Sequence, residues 1–187
     1  MFLGRCAAIA LMAFFLQACA YGIYEDKRLL DTQAADAALA ADIKAALLKA
    51  SFTDALAISV FCFYGNVFLI GEIPHSMQKK ALDIARAYKP RSVTPHWFAR
   101  AAGERPDLVL AADLRSALIG AKGLSSTRID TVVNAGRVVL LGVVHDEAEK
   151  KLAIATARKV KGVLSVTSYL MLPLMAQTPG KAQEAAS

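Results

Sequence analysis

The sequence is poor in the residues on which catalysis and cross-linking depend. Its 187 residues include three cysteines and three histidines. His75 and His145 have no neighbours at metal-ligand spacing apart from Asp146 and Glu147, which the start of a helix already explains. The chain has no Ser-His-Asp arrangement and no glycine-rich loop for phosphate. We therefore predict no catalytic residue, no metal site and no cofactor, in a protein that is not an enzyme.

Residues Met1–Ala18 are typical of a signal peptide rather than of a fold. Arg5 is their only charged residue, and an apolar run continues to Leu16. The run is too short to span a membrane comfortably but suits the apolar region of a secretion signal. Leu16-Gln17-Ala18-Cys19 resembles a bacterial lipobox, in which the cysteine is acylated after cleavage. Cys19 is then the lipidation site, and an ordinary cleaved signal with an incidental cysteine is the alternative.

The remaining cysteine, Cys62, has no disulfide partner in the mature chain. Cys6 leaves with the signal, and Cys19 carries the lipid. Because Cys62 lies within an apolar run, we expect it to be a packed core residue rather than a reactive thiol.

The rest of the chain is an internal duplication. Leu39–Leu47 (LAADIKAAL) returns 71 residues later as Leu110–Leu118 (LAADLRSAL). The same offset relates GNVFLIGEI to GRVVLLGVV, and the hairpin glycines that it pairs are Gly65 with Gly136 and Gly71 with Gly142. A period of this length suits a small independent domain. Such a domain is near the lower size limit for a stable core, so we expect the two copies to contact each other or a partner.

Both copies predict the order helix, strand, strand, helix, strand. The first has helices at 36–50 and 76–88 with strands at 57–63, 67–73 and 92–98, and the second has helices at 107–118 and 146–160 with strands at 128–133, 138–144 and 163–172. Ser76 and Asp146 are the predicted N-caps, and Asp146 with Glu149 forms a capping box. The order predicts an α+β fold with two helices on a small three-stranded mixed sheet.

The predicted organisation divides the chain into six segments. They are a signal peptide (1–18), a lipidated N-terminus and tether (19–33), a first domain (34–98), a linker (99–106), a second domain (107–172) and a tail (173–187). The tail is rich in Gln, Thr, Gly, Lys, Glu and Ala, a composition that predicts disorder.

The two copies resemble the BON domain family over Gln33–Leu172. The second copy has a G-x-V-x-L-x-G hairpin at Gly136–Gly142 and a final strand opened by Gly162-Val163. The first copy keeps the hairpin at Gly65–Gly71, but Lys89-Pro90-Arg91 replaces the Gly-Val opening, and its last strand needs a small shift from the main offset. A lipobox followed by two BON domains resembles a group of outer-membrane lipoproteins. A soluble periplasmic protein with the same domain pair is the nearest alternative.

The resemblance implies binding, not catalysis. BON domains are associated with phospholipid surfaces and with the integrity of the cell envelope. In the similar lipoproteins the second domain contacts anionic lipid through its first helix, which here implies Val109, Leu110, Leu114 and Arg115. Val109 stands where an interfacial aromatic is expected, and valine anchors less well than an aromatic at the headgroup level.

The basic excess lies in the second half of the chain. From Arg100 onward there are 12 Lys and Arg against 8 Asp and Glu, whereas Cys19–Ala99 has 9 against 8. Four of these basic residues are predicted to lie near one side of a helix, namely Lys150, Lys151, Arg158 and Lys161. Such residues gain about 1 kcal/mol each near anionic headgroups. The alternative is a solvated helix whose charges simply complement its dipole.

We therefore expect a lipid-anchored protein of the bacterial outer membrane that faces the periplasm and binds phospholipid, preferentially anionic. The alternative is a periplasmic chaperone or scaffold that binds outer-membrane protein partners and touches the membrane only through its anchor. Although the pI is near 9.3, secretion removes the chain from cytoplasmic DNA and RNA, and we predict no nucleic-acid partner.

Overall fold

The computed structural model describes residues 30–99 and 107–173. The predicted signal peptide, Cys19, nearly all of the linker and nearly all of the tail lie outside these residues. The first domain comprises α1 (Leu30–Ala50), α2 (Phe52–Leu56), β1 (Ile58–Phe63), β2 (Asn66–Gly71), α3 (His75–Ala87) and β3 (Ser92–Trp97). The second comprises α4 (Asp107–Gly120), a 3-10 turn (Ser126–Arg128), β4 (Ile129–Asn134), β5 (Arg137–Val143), α5 (Glu147–Lys159) and β6 (Ser165–Met171).

Each domain contains one three-stranded mixed sheet. In the first, β2 lies between β1, to which it is antiparallel, and β3, to which it is parallel. In the second, β5 holds the same place between β4 and β6. A tight turn joins the antiparallel pair, whereas parallel strands need a crossover, which α3 and α5 supply. The predicted α+β fold is confirmed in both copies.

Several predicted boundaries are corrected by the structure. α1 begins at Leu30, so the last residues of the predicted tether are helical, and the short α2 precedes β1. Ser76 is not an N-cap, because α3 begins at His75 after Pro74. Asp146 does cap α5, since its carboxylate accepts a 2.8 Å hydrogen bond from the Glu149 amide. The shift predicted for the last strand is two residues, since Ser92 pairs with Asn66 as Ser165 pairs with Arg137.

The hairpin glycines meet two different demands. Gly65 and Gly136 have φ angles of 73° and 77°, and each follows a residue that also has positive φ, as type I′ hairpin turns require. Gly71 and Gly142 instead allow a close approach between strands. A Cβ atom would lie 2.2 Å from the Ala57 carbonyl oxygen at Gly71 and 2.0 Å from that of Arg128 at Gly142.

The central strands are buried on both faces, which explains their unbroken apolar sequences. Val67 and Leu69 of β2 pack against the helices of the first domain, and Val138 and Leu140 of β5 pack in the core of the second. The alternate residues form a third cluster, which joins the domains. Its buried members are Phe63, Phe68, Ile70, Phe98, Val139, Leu141 and Val143. The hairpin aromatics Phe63 and Phe68 therefore fill a core between the domains, and the expected contact between the copies is confirmed.

Polar contacts surround this cluster. The His96 Nδ1 and Tyr169 hydroxyl lie 3.1 Å apart, and the amide of Asn134 donates a 3.0 Å hydrogen bond to the Glu72 carboxylate. The Arg137 guanidinium lies over the Phe98 ring, with its carbon 5.2 Å from the ring centroid. His96 thus belongs to the domain junction.

Protonation of His96 is expected to weaken this junction. Burial, and then the Arg137 guanidinium, lower the pKa of His96 from its ordinary value of 6.5. The unfolded chain binds this proton more readily than the folded chain does. The contribution of His96 to the stability of the fold is therefore fully present above pH 6.5 and is lost progressively as the pH falls toward the lowered pKa. Tyr169 stays neutral throughout because burial raises its pKa. Thermal unfolding between pH 8 and pH 5 should therefore show a smaller loss of stability in His96→Gln than in the wild type.

A matched control for this experiment is His75→Gln, which changes an exposed histidine at the start of α3. As the pH falls from 8 to 5, this variant should lose as much stability as the wild type does. Equal pH dependence of the wild type and His96→Gln would contradict the prediction.

Candidate functional site

Packing of α4 on its sheet decides which of its apolar residues remain outside. Leu110, Leu114 and Leu118 recur every four residues and are buried. Residues off this stripe face solvent, and Leu108, Val109 and Ile119 are 83%, 44% and 62% exposed. Leu108 and Ile119 are three helical turns apart, which places them on the same side of the helix. We call the exposed residues Leu108, Val109, Ala112, Arg115 and Ile119 the outer face of α4.

The structure corrects part of the predicted lipid-contact set. Val109 lies on the outer face, but Leu110 and Leu114 have no exposed surface. Neither side chain can touch a membrane while the domain is folded. Leu108 and Ile119 were missed; only once Leu110, Leu114 and Leu118 are known to be buried does helical spacing place both on the opposite side of the helix.

Arg115 has a structural contact as well as an exposed position. Its guanidinium donates hydrogen bonds to the carbonyl oxygens of Ser126, at 3.1 Å, and Ile129, at 3.0 Å. In the first domain Lys44 holds the corresponding position and donates to the corresponding carbonyls of Ala55 and Ile58. Burial lowers the pKa of Lys44. Both domains therefore use this basic residue to fasten the first helix to the start of the first strand.

The four predicted basic residues of α5 and its end differ in their surroundings. Lys150 is half-buried and lies 3.6 Å from the Glu147 carboxylate. Lys151, Arg158 and Lys161 are exposed. Lys151 and Arg158 lie seven residues apart, on the side of α5 away from the buried Ala153 and Ala157. Lys151 and Arg158 thus form an exposed basic pair on α5, but the four predicted basic residues do not form one cluster.

Asp36 is a buried carboxylate with a structural function. It accepts 2.7 Å hydrogen bonds from the backbone amides of Tyr64 and Gly65, and so holds the first hairpin turn against α1. An open pocket of about 250 Å³ lies beside it, lined by α1, β1 and Asp130 of β4. Asp107 holds the corresponding position in the second domain, where its Oδ1 is buried without a hydrogen-bond partner among the described residues.

The described residues contain neither a metal-binding cluster nor a helix that could span a membrane. Over 30–99 and 107–173, no three or more His, Cys, Asp or Glu side chains are placed to hold a metal ion. Over the same ranges, each helix is too short or too polar to cross a bilayer.

The repeated α+β unit, with a hairpin and a crossover helix on one mixed sheet, defines a tandem-domain protein. The model of the BON domain matches residues 35–93 and 106–171, and the chain belongs to the BON domain family. BON domains are generally associated with phospholipid binding and with envelope proteins. No curated protein matches the chain.

Solved structures similar to the chain include two of CdsD from Chlamydia trachomatis, described as a structural protein of the type III secretion system. A structure of its C-terminal domain is 14% identical, with a TM-score of 0.31, and the match covers 74% of this chain and 67% of that one. A second is 15% identical, also with a TM-score of 0.31, and covers 78% and 70%.

Proposed function

We propose that the chain is a lipid-anchored protein of the bacterial outer membrane that faces the periplasm and helps to maintain membrane integrity. Its second domain binds anionic phospholipid through the outer face of α4, and Cys19 carries the acyl anchor. In this organisation it resembles the DolP (YraP) group of dual-BON lipoproteins, with OsmY as a soluble relative. The protein acts by binding, without enzymatic activity.

The observation that carries the proposal is a difference between the two domains. Leu108 and Val109 are exposed, and the corresponding residues of the first domain are the exposed alanines Ala37 and Ala38. The shared fold therefore does not require large apolar side chains at these positions. Exposed leucine and valine on a helix face gain free energy when they enter the boundary between headgroups and acyl chains.

The positive charge of the second domain also favours binding of anionic lipid at this surface. Arg115 lies on the outer face, and Lys151 and Arg158 are exposed on the neighbouring helix. Each basic residue near an anionic leaflet contributes about 1 kcal/mol, which salt reduces. Binding should accordingly require anionic lipid and weaken at high ionic strength.

Flotation of residues 20–187 with vesicles tests the proposal. We expect binding to phosphatidylglycerol vesicles at low salt and little binding to phosphatidylcholine. Leu108→Ala/Val109→Ala, which gives the second domain the residues of the first, should weaken binding about tenfold, because it removes apolar area from the contact. Lys151→Gln/Arg158→Gln should weaken binding about thirtyfold at low salt and reduce its salt dependence, because each charge contributes about 1 kcal/mol.

The charge control is Lys79→Gln/Lys89→Gln, which removes two exposed charges from the first domain and should leave binding within twofold of the wild type. Unchanged melting temperatures would show that the variants remain folded. Absence of flotation with any vesicle would reject lipid binding by the domain and favour a scaffold that recognises envelope proteins.

A further inference from the structure

The first domain has an apolar surface of its own at the end of α1. The short helix α2 carries Phe52 and Leu56, which are 67% and 62% exposed. Residues four apart on a helix are neighbours, so the two side chains form one patch. We call Phe52 and Leu56 the α2 patch.

The second domain shows that the fold does not need this patch. The residues 71 positions later are Gly123 and Thr127, which precede β4 as Phe52 and Leu56 precede β1. The core beneath is kept in both copies, since Ile58 and Ile129 are buried alike. Packing of the shared core therefore does not require phenylalanine and leucine at these positions.

Hydrogen bonds hold the patch in place. The Lys44 ammonium donates to the carbonyl oxygens of Ala55 and Ile58, at the end of α2 and the start of β1. Lys80 donates a 3.2 Å hydrogen bond to the Ala50 carbonyl, and the Ser51 hydroxyl donates a 2.7 Å bond to the Asp54 carboxylate. A side chain on a fastened segment loses little further backbone entropy when it binds.

We propose that the α2 patch is a second membrane contact, which inserts Phe52 and Leu56 into the interfacial region of an anionic phospholipid bilayer. The inference rests on the proposed function, phospholipid binding, and extends it to the first domain. Phenylalanine and leucine are apolar residues that interfacial helices bury in membranes. Lys49 and Lys80 lie beside the patch, at the last turn of α1 and against its final carbonyl, where they complement anionic headgroups.

A bilayer fits the patch better than a second copy of the chain does. One phenylalanine and one leucine at these exposures offer roughly 200–300 Å² of surface. A specific protein interface buries about 1,200–2,000 Å² in total. Insertion into a membrane has no such minimum, because its strength increases with each apolar group that is buried.

The anchor does not keep the patch from the membrane. α1 has 21 residues and is about 31 Å long, with the patch following its C-terminal end. The ten residues between Cys19 and Leu30 reach at most about 35 Å. An acylated Cys19 and the α2 patch can therefore meet one bilayer.

The test measures binding of residues 20–187 to phosphatidylglycerol vesicles for four proteins. They are the wild type, Phe52→Ala/Leu56→Ala, Leu108→Ala/Val109→Ala, and the protein with all four changes. If both surfaces contact the membrane at once, each double variant should bind about tenfold more weakly than the wild type. The quadruple variant should keep only the weak binding that its basic residues give through electrostatic attraction to anionic lipid. Since all four side chains are exposed, melting temperatures should stay close to that of the wild type.

A second measurement reports insertion directly. Phe52→Trp in a Trp97→Phe background should show a blue-shifted emission on binding and quenching by brominated phosphatidylglycerol. If Phe52→Ala/Leu56→Ala binds within twofold of the wild type and the tryptophan is not quenched, the α2 patch is not a membrane contact, whereas the proposed function stands. If the wild type itself does not bind vesicles, the proposed function fails, and this inference fails with it.

Discussion

Gly142→Ala is expected to destabilise the second domain by about 3 kcal/mol or more. The new Cβ would lie 2.0 Å from the Arg128 carbonyl oxygen and 3.3 Å from the Ile129 Cα. Both are backbone atoms, so no side-chain rotation can relieve the contact. Gly142 also has a φ of 131°, which residues with a side chain rarely adopt. The strands β4 and β5 would have to separate where Ile129 pairs with Gly142.

Hydrogen–deuterium exchange of the β5 amides locates this effect in the second domain, and urea unfolding measures it. Gly120→Ala is the matched control, since among the described residues its new Cβ would meet no atom within 4 Å beyond its chain neighbours and its own helix backbone. Its stability should stay within about 0.5 kcal/mol of the wild type. Gly71→Ala should harm the first domain similarly, because its Cβ would lie 2.2 Å from the Ala57 oxygen. Wild-type stability in Gly142→Ala would show that the two strands yield more readily than their spacing implies.

Glu149→Gln is expected to cost about 3–5 kcal/mol, because it leaves the buried Arg128 charge without its partner. The Arg128 Nη2 lies 3.0 Å from both carboxylate oxygens of Glu149, and the two side chains are 5% and 6% exposed. The same carboxylate accepts hydrogen bonds from the backbone amides of Ser125 and His145. It therefore joins the start of α5 to the segments on either side of the β4–β5 hairpin.

The first domain supplies the rescue experiment. It has Ala57 and Gln78 where the second has Arg128 and Glu149, so the fold does not require the ion pair. Arg128→Ala/Glu149→Gln should consequently be more stable than Glu149→Gln alone, with a coupling energy of at least about 1 kcal/mol in a double-mutant cycle. The Arg128 Nε is buried and has no hydrogen-bond partner within residues 30–99 and 107–173, so removing Arg128 also removes the cost of this unpaired group. Additive effects of the two substitutions would contradict this account.

Local chemistry made the order of elements predictable. The 71-residue offset repeats the glycines of each hairpin, and Asp146 and Glu149 mark the start of α5 through a bond between neighbouring residues. Signals of this kind act over a few residues, so they hold whatever surrounds them. The boundary at Leu30 was missed, and so was the start of α2, although Ser51 at its N-cap position and Asp54 three residues later are a local signal of the same kind.

Tertiary packing decided the candidate site. Leu108, Val109 and Leu110 are consecutive apolar residues, and only contact with the sheet buries the third and exposes the first. Tertiary packing also directs the Arg115 guanidinium toward two backbone carbonyls, and it leaves Lys150 half-buried while Lys151 and Arg158 are exposed to solvent.

By itself, the sequence determined two copies of one α+β domain, their hairpins and their family, because repeated spacing and turn residues act locally. Only the tertiary structure decided that Phe63 and Phe68 join the two domains, and that Leu108 and Phe52 face outward. The physical reason is that burial depends on which surfaces meet, and apolar residues of similar character are distinguished only by the partner that covers them.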